Sequence, residues 1–180
     1  MQIEIRLLRP DDDRAAFTCG DVDLDRFFRN FAGQNQFRLH IGTTYVAAGE
    51  GRILGYATVA PGSIVIDQLP VRDQRRFPAY PLPVLRLARL AVTDDHQGRG
   101  IGSRLLRFVL ELAREMAARL GCVGLVVDAQ PQAVGFYAGL GFCELPVIAG
   151  GSPSRPQPLP MFLSIGSIPG GRAASVRDEP

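Results

Sequence analysis

The run Leu90-Ala91-Val92-Thr93-Asp94-Asp95-His96-Gln97-Gly98-Arg99-Gly100-Ile101-Gly102-Ser103 constrains this chain more than any other. It leads from an apolar, strand-like stretch through a glycine-rich turn into a long amphipathic helix. Leu105, Leu106, Val109, Leu110, Ala113, Met116, Ala117 and Leu120 trace one face of that helix, and Gly121 stops it. A helix that opens from such a turn leaves several N–H groups unpaired at its N-terminus. Glycines let a ligand approach the backbone and permit positive φ. The helix dipole adds a favourable potential for an anion. The pattern is therefore a cradle for a pyrophosphate, although glycines alone suit a tight strand–helix connection equally well. Two nucleotide-binding alternatives fail. A Walker loop requires a lysine, and this chain has none; a dinucleotide fingerprint requires a third glycine where position 105 is leucine.

The elements around this segment read as an α/β chain. Ile3 to Leu8 is a first strand, followed by Pro10 and the acidic turn Asp11-Asp12-Asp13. Leu24, Phe27, Phe28 and Phe31 have helical spacing, with Asp23 as the candidate N-cap and Gly33 as the interruption or end. Thr43 to Ala48 and Ile53 to Val59 form a hairpin across Glu50-Gly51; Pro61-Gly62 bends the chain, and Ser63 to Ile66 can continue the strand. Leu69 to Pro83, carrying Arg72, Arg75 and Arg76, reads as an exposed loop. Val84 to Val92 is a strand in which Arg86 and Arg89 should fall on opposite faces. Val123 to Val127 is a buried strand, Pro131 to Leu140 a short helix ended by Gly141, and Phe142 to Val147 another strand. A loop from Ala149 to Pro158 precedes a last strand, Pro160 to Ile165. The expected organisation is one domain over 1–165 with a flexible tail over 166–180. The strands on either side of the long helix should run parallel within a mixed sheet.

Composition excludes more than it assigns. A net charge of +2 does not announce a nucleic-acid binder, and no apolar run approaches the length of a spanning helix. The start alternates like a strand and lacks the apolar core of a signal peptide, so the expected compartment is the cytoplasm. Cys19, Cys122 and Cys143 have no metal-site or CxxC spacing and read as structural thiols, and no metal is expected. All 20 lysine-or-arginine positions are arginine, whose planar fork of donors suits phosphate.

Gln97, Gly100 and Gly102 match the Gln/Arg-x-x-Gly-x-Gly/Ala signature of the GNAT superfamily of N-acetyltransferases, which this sequence resembles. A second match follows at the family's usual distance: Ala133-Val134-Gly135-Phe136-Tyr137-Ala138-Gly139-Leu140-Gly141-Phe142. The resemblance implies a GNAT fold, a mixed and mostly antiparallel sheet with flanking helices and a splayed central parallel strand pair. It implies acetyl-CoA as co-substrate, its pantetheine paired with Leu90-Ala91-Val92 and its pyrophosphate on the amides of Gly98, Arg99, Gly100, Ile101, Gly102 and Ser103. Gln97 and Phe136 complete the cofactor set. Arg99 reaches a phosphate or is simply solvated. The Val92 N–H would polarise the thioester carbonyl. Tyr137 would donate a proton to the departing thiolate, since a phenol stays protonated at neutral pH; the alternative is a packed aromatic with its hydroxyl on a backbone carbonyl. Glu4, Asp67, Asp128 and His96 are candidate bases by residue type alone, with His96 expected to be exposed.

Phe17-x-Cys19-Gly20, Leu24-Asp25-x-Phe27, Thr44-Tyr45-Val46, Gly55-Tyr56, the run Pro83 to Val92, and Leu159-Pro160-Met161-Phe162-Leu163 resemble GNAT toxins of bacterial toxin–antitoxin modules. That resemblance implies acetylation of the α-amino group of aminoacyl-tRNA, a ribbon-helix-helix antitoxin as partner, and a homodimer. The chain departs from the group in following Val127-Asp128-Ala129 with Gln130 rather than a basic residue. Arg75, Arg76, Arg86 and Arg89 are the candidate acceptor-binding residues, to be weighed against a solvated loop with structural ion pairs. Two other readings remain at this stage: a GNAT enzyme for a small-molecule amine or a protein N-terminus, and a non-catalytic acyl-CoA-binding module.

Overall fold

The computed structural model describes residues 2–146 and 158–168. Most of the expected loop from Ala149 to Pro158, and the tail from 169 onward, lie outside the described residues. Seven strands form one sheet: β1 (Glu4–Leu7), β2 (Thr43–Gly49), β3 (Arg52–Ile64), β4 (Leu82–Val92), β5 (Gly124–Ala129), β6 (Cys143–Glu144) and β7 (Leu159–Ser164), in the order β1-β2-β3-β4-β5-β7-β6. The helices are α1 (Val22–Arg26), α2 (Ala32–Gln34), α3 (Val71–Gln74), α4 (Ile101–Arg119) and α5 (Val134–Ala138). Every neighbouring pair is antiparallel except β4 and β5. Parallel neighbours need a crossover, and α4 supplies it.

The sheet has a different cover on each face. Leu105, Leu106, Val109 and Ala113 of α4 pack on Ala57, Leu85, Leu87, Leu125 and Val127. On the opposite face Phe17, Phe27, Phe28 and Ala32 pack on Val46, Tyr56 and Ala91. Tyr56 is fully buried, stacks on Phe28 with centroids 4.3 Å apart, and donates its hydroxyl to the Leu24 carbonyl at 2.9 Å. That bond satisfies the phenol in an apolar setting and ties the sheet to α1.

Several local expectations are corrected. The N-cap of α1 is Asp21, whose carboxylate accepts from the N–H groups of Asp23 and Leu24; Asp23 lies inside the first turn. Gly33 does not end the helix. The helical path continues through π-turns at Phe27–Phe31 and Asn35–Leu39 to His40, which adopts a left-handed φ of 54°. Burial of Phe28 and Ala32 outweighs the poor helix propensity of a glycine. Beyond Pro61-Gly62, by contrast, β3 continues as expected and pairs with β4 as far as Ile64. There β2 has already ended opposite Val59, and a proline is tolerated at a free edge. The strand expected from Phe142 to Val147 contributes only two residues, Cys143–Glu144. Past the boundary expected at 165, a turn at Ile165–Ser167 leads to Ile168, which packs into the α4-side core.

Gly124 sits where no side chain fits: an added Cβ would lie 2.3 Å from the Leu163 carbonyl oxygen and 2.4 Å from the Phe162 ring. Gly124→Ala should destabilise the fold by about 3 kcal/mol, the upper range for overpacking, read as a lower midpoint of urea unfolding.

Candidate active site

β4 and β5 hold together over only three rungs, Leu85↔Leu125, Arg86↔Val126 and Leu87↔Val127. Beyond Leu87 each strand keeps its outer partner, β4 staying on β3 and β5 on β7, so the sheet opens between them. A β-bulge marks the point of divergence. Val59 faces Leu87 and Thr58 faces Arg89, which leaves Ala88 as an extra residue in β4. Above the bulge the Thr93 N–H donates to the Leu54 carbonyl of β3 at 2.9 Å. Because polar groups alternate along a strand, the N–H and C=O of Val92 and Leu90 face the opening instead. The Leu90-Ala91-Val92 edge that the resemblance assigns to pantetheine thus presents two amide hydrogens to the gap.

The bulge also corrects an expectation. Arg86 and Arg89 would lie on opposite faces of a regular strand, yet both line one open cleft of about 870 Å³. The extra residue restores them to the same parity. Arg86 Nη1 meets Asp128 Oδ2 of β5 at 2.5 Å, and the Arg89 guanidinium lies 3.8 Å from the centroid of the Phe27 ring. Leu24, Phe31, Asn35 and Gln130 also line the cleft, and its rim carries Asp21, Asp23 and a third arginine, Arg26. The helix spacing of Phe27 and Phe31 is legible in the sequence, but their place opposite β4 is not. Arg75 and Arg76 are not brought to this cleft: they follow α3 on an exposed segment, where Arg76 pairs with Asp73 at 3.6 Å.

At the other end of the opening stands the glycine-rich turn. Gly98 and Gly100 have φ of 73° and 78°, and a Cβ on either would meet nothing within 4 Å. The first backbone bond of α4 runs from the Arg104 N–H to the Gly100 carbonyl at 3.1 Å. The N–H groups of Ile101, Gly102 and Ser103 precede it and have no partner within the helix. Nor do the amides of Gly98, Arg99 and Gly100 donate to any backbone carbonyl of the described residues. The side chain of Gln97, at the surface, folds back over the end of β4: its Nε2 donates to the carbonyls of Cys19 at 2.9 Å and Val92 at 3.1 Å and lies 3.5 Å from Asp94 Oδ1.

His96, expected to be exposed, is 4% exposed. Its Nδ1 lies 2.9 Å from Asp95 Oδ1 and its Nε2 3.5 Å from Glu50 Oε2 at the β2–β3 hairpin. Arg52, followed by His96, holds the Asp95 carboxyl well below the usual range. The pair braces the turn. Of the candidate bases only Asp128 reaches the cleft, where it is tied to Arg86.

Tyr137 lies on α5, which hangs from the diverged end of β5 through a turn at Pro131–Ala133. Its ring meets Phe136 and Phe142 edge-on at 5.2 and 5.4 Å, and it is 5% exposed. Burial, the single cause, pushes its phenol up to about 12. Phe136 remains partly exposed beside it.

Residues 6–142 match the family described as the acetyltransferase (GNAT) family. A tRNA-acetylating toxin of Mycobacterium tuberculosis is 34% identical over 132 residues, covering 73% of this chain and 78% of that protein. Among solved structures, AtaT complexed with acetyl-methionyl-tRNAfMet superposes with a TM-score of 0.80 at 26% identity, covering 93% of this chain and 97% of the other. AtaTR bound with acetyl-CoA superposes with a TM-score of 0.73, also at 26% identity, covering 92% and 95%.

Gly100→Ala places a Cβ on a left-handed residue and should cost about 1 kcal/mol of stability. Because that distorts the row of free amides, acetyl-CoA should bind at least about tenfold more weakly by calorimetric titration, equivalent to ~1.4 kcal/mol.

Proposed function

This chain belongs to the GNAT family and is an acetyl-CoA-dependent N-acetyltransferase, and we propose that the amine it acetylates is the α-amino group of aminoacyl-tRNA, as the toxin of a toxin–antitoxin module. The observation that carries this reading is the pairing of Arg86 with Arg89 on one side of β4, in an open cleft at the mouth of the strand opening. Two arginines there suit a polyanionic acceptor whose amine must reach the thioester. The tRNA-acetylating toxin and the AtaT complex support it, by what each is and binds.

Acetyl-CoA is held by the free amides from Gly98 to Ser103 and along the Leu90–Val92 edge. The Val92 N–H polarises the thioester carbonyl and stabilises the oxyanion that forms on attack. An α-amino group with a pKa of ~7.7–8.0 is substantially neutral near pH 7. It attacks without a dedicated base, in keeping with the tied state of Asp128. As the tetrahedral intermediate collapses, the C–S bond breaks and the Tyr137 hydroxyl gives its proton to the leaving thiolate; the proton shed by the attacking nitrogen passes to solvent, from which Tyr137 is reprotonated. Arg86 and Arg89 bind the acceptor's phosphates. Among the described residues no helix is long and apolar enough to cross a membrane. The reading extends to cytoplasmic action on charged tRNA, to a homodimer, and to neutralisation by a ribbon-helix-helix antitoxin encoded alongside.

Labelled acetyl-CoA incubated with total charged tRNA should deliver label to the aminoacyl fraction; label going only to small amines or protein N-termini would select the other acceptor class. Arg86→Gln and Arg89→Gln should each weaken tRNA binding and flatten the plot of log affinity against log salt by about 0.7–0.9.

Tyr137→Phe should lower kcat by about 100-fold or more, with acetyl-CoA affinity nearly unchanged. With the folded-state pKa raised to about 12, the phenol is protonated throughout the neutral range, so kcat should show no descending limb from Tyr137 below pH ~10.

A further inference from the structure

Where β5 has peeled away, the outward carbonyl of Val92 has no strand to bond. The Gln97 side chain replaces it, donating from Nε2 at 3.1 Å. The same nitrogen donates to the Cys19 carbonyl at 2.9 Å. Cys19 belongs to the short loop that enters α1, and that loop is fastened on several sides. The Asp94 N–H donates to the Thr18 carbonyl at 3.0 Å, and the Thr18 hydroxyl lies 3.3 Å from both Asp94 Oδ2 and Asp25 Oδ2. The Cys19 N–H donates to Asp25 Oδ1 at 2.8 Å, and Asp21 caps α1. The helical stretch that begins there carries Leu24, Phe27 and Phe31, which wall the acceptor cleft.

We propose that Gln97 is a positioning residue for the acceptor: its side-chain amide closes the open β4 edge at Val92 and ties that edge to the loop that sets the acceptor wall. Its backbone belongs to the cofactor turn and its side chain meets the Val92 carbonyl of the cofactor edge, while the same nitrogen fixes the loop that sets the acceptor wall. The two short contacts are to carbonyl oxygens, and the Asp94 carboxylate stands 3.5 Å from the same nitrogen, so every neighbour of that nitrogen is an acceptor and the position requires a donor. Because the amides of Gly98 to Ser103 are independent of the side chain, and the Leu90–Val92 edge stays fixed by its pairing with β3, its loss should spare most of acetyl-CoA binding while misplacing the amine. This rests on the aminoacyl-tRNA reading only for the identity of the acceptor.

Three variants separate donation from packing. Gln97→Met keeps length and volume and removes both donors. Gln97→Glu presents acceptors to the two carbonyls. Gln97→Arg keeps a fork of donors. Gln97→Met should lower kcat/KM for charged tRNA about tenfold or more, with acetyl-CoA affinity by titration within about threefold of the starting protein. Gln97→Glu should fall at least as far, and Gln97→Arg should recover most of the loss. Equal kcat/KM in Gln97→Met, or a loss that Gln97→Arg does not relieve, would overturn the proposal. So would a fall in acetyl-CoA affinity that matches the fall in kcat/KM, which would make Gln97 a cofactor residue alone. If the unmodified chain acetylates an amino-acid ester but not charged tRNA, the tRNA reading falls. The same ratios measured with the ester then decide the role of Gln97. Transfer to neither acceptor would overturn both.

Discussion

One extra residue in β4 governs the rest of the structure. With Ala88 inserted, the strand stays paired with β3 on either side but changes direction at the place where β5 departs. A continuous sheet would bury the polar edge of Leu90 to Val92 in a ladder; the divergence leaves it unpaired. Unpaired backbone groups in a protein interior are costly, and the structure confines the cost to a short edge. The Val92 carbonyl is met by Gln97, and the remaining groups face an opening that a ligand can complete. The same insertion resets side-chain parity, so that both arginines of the strand serve one cleft.

The two covers of the sheet have separate duties. α4 is anchored by a continuous apolar face, and its N-terminus is therefore a fixed array of amides rather than a frayed end. The opposite cover is held by Tyr56 and by the capped, hydrogen-bonded loop from Thr18 to Asp21, and it carries the aromatic wall of the cleft. The glycine-rich turn and the aromatic wall of the cleft thus belong to different layers, joined at the turn that contains Asp94 and Gln97.

Much of this is legible in the chain. Strand, glycine turn and amphipathic helix follow from local periodicity and from what glycine permits, and the parallel pair follows from the crossover. The pattern of β4 even carries the sign of its bulge. Leu85 and Leu87 alternate, but position 89, where the alternation would continue, is arginine, and the next leucine is Leu90. Treated as an uninterrupted strand, that spacing puts Arg86 and Arg89 apart. A polar turn is usually exposed, so local reasoning leaves His96 in solvent. Its burial depends on Glu50 and Arg52, which the hairpin brings from more than forty positions away. Closeness in sequence groups Arg75 and Arg76 with the cleft, yet it says nothing of direction once a helix turn intervenes.

The sequence by itself determined the elements, their order and the amide-rich turn, because each depends on neighbours within a few residues: glycine conformations, capping, apolar spacing. Only the tertiary structure decided which groups share the site. Strand divergence, the parity of the two arginines, the enclosure of Tyr137 and the bond from Gln97 to Cys19 all arise from contacts between segments far apart in the chain. No local propensity encodes the distance between two strands that have stopped pairing.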